Sequence, residues 1–67
     1  MTNSQRAEYA FRALKKHAAS TGSEGEDTDT QITDLLCNLM HLAEEYAVDF
    51  KMCVESAQTH FDAESLE

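Results

Sequence analysis

DLLCNLMHLAEEYAVDFKMCVESAQTHF, residues 34–61, decides the fold. Leu35, Leu36, Leu39, Leu42, Ala43 and Tyr46 recur at helical spacing, and Ile32 just upstream begins the series. Cys37, Met40 and Ala47 widen the stripe beyond the ~100° that one neighbouring helix covers, so this helix is expected to touch two others or a second subunit. The pattern breaks across residues 47–50. There Asp49 suits an N-cap, and Phe50, Cys53, Val54, Ala57 and Phe61 restart a helical face. A connection of about two residues between the helices then calls for a tight αα-hairpin.

Upstream, STGSEGEDTDT holds both glycines of a chain that has no proline, and marks residues 20–28 as an acidic loop. Before it, Ala7, Ala10, Phe11, Leu14, His17 and Ala18 share one helical face. Thr2 with Gln5 reads as a capping box, and Gly22 lies just past the helix end. Thr28 with Gln31 reads as a second capping box, with Asp27 and Asp29 at the positive end of the helix dipole. The expectation is one all-α domain over residues 1–67: a three-helix mini-bundle with helices near 4–19, 29–47 and 49–64. Phe11, Leu14, Ile32, Leu35, Leu36, Leu39, Leu42, Tyr46, Phe50, Val54 and Phe61 should fill its core, leaving Met40, Met52 and Leu66 outside it.

Sixty-seven residues stand near the lower limit for an independent core, so dimerisation is expected to supplement it. The net charge of −8 is unevenly placed. Residues 1–23 carry Arg6, Arg12, Lys15 and Lys16 against Glu8, a net of +3, whereas residues 24–67 carry a net of −11. Such a field opposes direct nucleic-acid binding through phosphate contacts and favours a partner protein with a basic surface. The cluster Arg12, Lys15 and Lys16 reads as a solvated face that answers acidic residues on the later helices. No apolar run approaches the ~18 residues of a membrane span, and no signal peptide is visible, so a soluble cytoplasmic protein is expected.

Several side chains invite a chemical reading. Cys37 and His41 are four apart on one helical face, and Cys53 and His60 are seven apart on the next. Folding the hairpin near residue 48 would bring His41 level with Cys53 and Cys37 near His60. The obstacle is reach: Cys53 and His60 stand about 10 Å apart along their axis, which suits one tetrahedral zinc poorly. Packed reduced thiols are the plainer expectation. A thiolate nucleophile at Cys37 would need an electropositive setting, and its surroundings are acidic.

Residues 34–61 resemble the distal helix-turn-helix of the MazG-type all-α nucleoside triphosphate pyrophosphohydrolases. The resemblance runs through Asp34, Leu35 and Leu36, then Leu42 and Ala43, Asp49, Ala57 and Phe61. It implies magnesium held by a Glu-Glu-x-x-Glu motif on one helix and a Glu-x-x-Asp motif opening a later one, since a hard cation on phosphates wants several carboxylate oxygens. Asp34 matches the last of these positions. Gln31 and Thr30 replace the preceding acids, His41 stands where the family commonly has Asn, and Glu8 is the one acid of the first helix. The resemblance therefore implies a shortened relative that keeps the hairpin and self-association without the catalytic set.

The sequence thus assigns no catalytic residue and no cofactor, with Asp34, or Cys37, His41, Cys53 and His60, as the metal candidates. The function expected is a non-enzymatic acidic interaction module, of the kind that small inhibitors from phages and other mobile elements provide, by analogy. Its contact residues would be Met40, Tyr46, Met52, Glu44, Glu45 and Glu55, apolar ones anchoring and acidic ones orienting. The alternative is a minimal MazG-like nucleotide pyrophosphohydrolase.

Overall fold

A computed structural model describes residues 1–66 as three α-helices: α1 Asn3–Thr21, α2 Thr28–Glu45 and α3 Phe50–Glu64. The all-α, three-helix architecture expected from the sequence is what the chain adopts. Local chemistry sets the ends of α1. The Thr2 hydroxyl accepts the Gln5 N–H at 3.1 Å, while Gln5 Oε1 accepts the Thr2 N–H at 2.8 Å. At the other end Gly22 takes the left-handed conformation, φ 75°, and the Ser23 N–H closes onto the Ala18 carbonyl at 2.8 Å.

The capping box expected at Thr28 and Gln31 does not form. Asp27 occupies the N-cap position in extended backbone without a side-chain cap bond, and Gln31 turns inward instead, 1% exposed. Gln31 Nε2 donates to the carbonyls of Ser23 at 2.9 Å and Glu24 at 3.3 Å, and its Oε1 accepts Lys15 Nζ at 2.9 Å. One amide thereby ties together α1, the acidic loop and α2. Three partners for a buried side chain outweigh a solvent-exposed cap.

The connection from α2 to α3 is longer than the two residues expected, because each helix is terminated by its own motif. Ala47 sits at φ 55°, its N–H bonding the Glu44 carbonyl at 3.2 Å while the Val48 N–H reaches Ala43 at 2.8 Å, a Schellman ending. Asp49 then lies extended and caps α3, its Oδ1 accepting the Met52 N–H at 3.2 Å. An L-residue held in the left-handed region costs about 1–2 kcal/mol, part of which glycine would return as unfolded-chain entropy. Ala47→Gly is therefore expected to stabilise the fold by about 0.5–1 kcal/mol, read as a higher urea midpoint. A lower midpoint would show that the turn carries no strain for glycine to relieve.

Packing departs from the expected core. Among the described residues the buried apolar side chains are Leu14, Ala18 and Ala43. Leu35 and Phe50 are half-buried, and Phe11, Ile32, Leu36, Leu39, Leu42, Tyr46, Val54 and Phe61 are exposed. The cause is the spread of the helices. The molecule measures 36 × 30 × 16 Å with a radius of gyration of 13.2 Å, against roughly 11 Å for a compact chain of this length. The polar ties between helices are few. Lys15 meets Gln31, Asn38 Nδ2 lies 2.8 Å from His17 Nε2, and the far end of α3 is held to the start of α1. There Asn3 Nδ2 donates to the Glu64 carbonyl at 3.0 Å, and Arg6 pairs with Glu64 at 3.3 Å. Held at its ends, the chain leaves the middle of its apolar faces open.

Candidate interaction surface

The open apolar faces form a trough. Phe11 and Leu14 of α1 meet Ile32, Leu35, Leu36 and Leu39 of α2 around one hollow. Leu39 also borders a second, where Leu42 and Tyr46 meet Val48, Phe50 and Cys53. Neither hollow has a charged residue in its lining. The same amphipathic periodicity that built the helices therefore gathers large apolar side chains onto a shared surface instead of burying them. Contiguous exposed apolar area is a feature that interaction sites of proteins commonly share.

Beside the trough is the elbow between α2 and α3. Met40, Tyr46 and Met52 are 56%, 73% and 62% exposed there, and Glu44, Glu45 and Glu55 are exposed as well. All six contact residues singled out in the sequence are thus at the surface. Tyr46 belongs to the trough and to the elbow alike. Leu66, the remaining side chain expected outside the core, is also exposed.

The basic residues of α1 do not answer the acids of α2. Arg12 pairs with Glu8 at 2.8 Å and lies over the Tyr9 ring at 5.6 Å, while Lys15 lies over Phe11 at 5.1 Å on its way to Gln31. Across helices, Arg6 with Glu64 is the ion pair seen among the described residues. Among the described residues from 24 onward, every acidic side chain but Asp34 and Glu64 is therefore exposed to solvent.

The metal and nucleophile candidates do not gather. Cys37, His41 and Glu44 border one hollow with Met40, Val48 and Phe50, whereas Cys53 lines the trough and His60 is exposed on α3. Asp34 is half-buried on α2. Among the described residues no three His, Cys, Asp or Glu side chains lie close enough to hold a metal ion. The four-residue set expected from a closed hairpin, with His41 level with Cys53 and Cys37 near His60, does not assemble, since Cys53 faces a different hollow from Cys37 and His41. Both cysteines are free and exposed, where packed thiols were expected.

No helix among the described residues is long and apolar enough to cross a membrane. Comparison with family models, with curated proteins and with solved structures finds no match to the chain.

Proposed function

We propose that the protein is a non-enzymatic interaction module, an acidic helical adaptor or small inhibitor that seats its α2–α3 elbow on a basic surface of another protein. The observation that carries this reading is the elbow itself. Exposed Met40 and Met52 offer adaptable apolar anchors, Glu44 borders the same hollow as Met40, and Glu45 and Glu55 are exposed near the same two helix ends and add negative charge. Such a surface draws a basic partner by long-range attraction and then holds it by desolvating the anchors.

The test is a set of binding measurements with the partner recovered from the native host, followed by assay of that partner's own activity with the module added. Neutralising the rim with Glu44→Gln, Glu45→Gln and Glu55→Gln together is expected to slow association about 10-fold at low salt. Added salt should weaken the wild-type complex in the same direction. Association indifferent to both would remove the charged rim from recognition. Magnesium-dependent release of pyrophosphate from nucleoside triphosphates, abolished by Asp34→Ala, would overturn the non-enzymatic reading.

A further inference from the structure

The chain is short of core, and surface area measures the shortfall. It exposes 5499 Å², whereas a folded monomer of 7.5 kDa is expected to expose roughly 4,250 Å². The excess is roughly 1,250 Å², and the exposed apolar side chains that line the trough contribute part of it. We infer that the trough is filled by a second copy of the same chain, packed face to face about a two-fold axis with α2 against α2.

The area fits that occupant. Covering the excess on both chains buries roughly 2,500 Å² in total, within the range of obligate homodimers and above that of transient contacts. The spacing fits as well. Ile32, Leu35, Leu39 and Leu42 of α2, with Tyr46 at its C-cap, alternate steps of three and four, the pattern by which one helix seams against another of its kind. Stoichiometry points the same way. With Leu14, Ala18 and Ala43 as the apolar core among the described residues, what the chain lacks is part of its own fold. A partner that comes and goes would leave that core open between encounters, whereas a second copy is present wherever the first one is made. Obligate interfaces of this type resemble a domain core cut in half.

Charge gives the dimer a signature of its own. Each chain carries −8, so the two copies repel at long range while the trough between them holds no charged lining residue. Screening by salt should therefore tighten the dimer, the opposite of its effect on a complex with a basic partner. The dimer does not rest on the elbow's partner, because its central residue is Leu39 and the elbow's recognition charges lie elsewhere.

Sedimentation of the full chain over a range of micromolar concentrations tests the inference. The expected result is twice the 7.5 kDa of one chain, with dissociation on dilution that sodium chloride suppresses. Leu39→Glu sets a carboxylate at the centre of the seam and should abolish the doubled mass, whether the separated chain stays helical or unfolds. Lys16→Glu, at an exposed position on α1, should retain it. A wild-type chain that is helical and monomeric at these concentrations overturns the inference, as does an assembly larger than two chains. It is equally overturned by a dimer that salt weakens, by a Leu39→Glu variant that keeps the doubled mass, or by a Lys16→Glu variant that loses it.

Discussion

Tenfold dilution is expected to lower the thermal midpoint by about 3–5 °C, because unfolding coupled to dissociation shifts by about 1.4 kcal/mol per dimer for each tenfold change in concentration. Half of that, about 0.7 kcal/mol, falls on each chain, and a domain of this size moves about 4–8 °C for each kcal/mol. Leu39→Ala sharpens the contrast. In a lone chain Leu39 is 38% exposed, and truncating it would cost about 1 kcal/mol of partial burial. At the centre of a two-fold seam the same change opens a cavity in a closed core. The cost is then about 2–5 kcal/mol for each leucine, and symmetry counts it twice per dimer. The midpoint of the variant should therefore fall by more than about 8 °C, with its concentration dependence displaced to higher protein. Circular dichroism melts at two concentrations distinguish the cases. A midpoint independent of concentration, with a loss near 1 kcal/mol, would mean that the α2 stripe is solvated in the native protein.

Features of this chain that depend on neighbours three or four residues away were legible in its sequence. The Thr2–Gln5 box, the left-handed Gly22 and the Asp49 cap are local hydrogen-bond chemistry, and each appears where its residues predict it. The stripe of α2 was legible as a stripe. Periodicity states that a face must be covered, however, and is silent on what covers it, so Phe11, Leu36 and Leu42 were assigned to an internal core that the chain does not close. The Cys37, His41, Cys53 and His60 set failed for a related reason. Helical spacing fixes neighbours on one helix, while convergence of two helices depends on how far along their lengths they stay in contact. Here Cys53 faces a different hollow from Cys37 and His41. Of the elbow residues, Met52 was legible as surface because it falls outside the stripes that the other apolar residues define, and Met40 because it stands at the widened edge of the α2 stripe.

Gln31 is the residue on which local and long-range readings conflict most sharply, and its replacement carries the second large expected effect. Three residues after Thr28 it matches a capping-box pattern, yet its amide is spent on Lys15 of α1 and on the carbonyls of Ser23 and Glu24. Gln31→Leu keeps the volume and removes all three bonds. The Ser23 carbonyl keeps the Glu26 N–H at 3.1 Å, whereas the Glu24 carbonyl loses its Gln31 donor. Three hydrogen bonds lost from an amide that is 1% exposed cost about 1–3 kcal/mol together, which lowers the midpoint of a domain this size by about 5–20 °C. Gln31→Glu should not rescue the loss. A carboxylate can hold the Lys15 ammonium, but it has no N–H for either carbonyl and sets its lone pairs against theirs. Lys15→Gln provides the comparison, since Lys15 is half-exposed and its removal leaves both bonds from the Gln31 amide nitrogen intact; it should cost less than about 1 kcal/mol. Chemical denaturation of the three variants ranks them. A Gln31→Glu protein as stable as the parent would show that the lock works through charge on Lys15, and that the two carbonyl contacts contribute nothing.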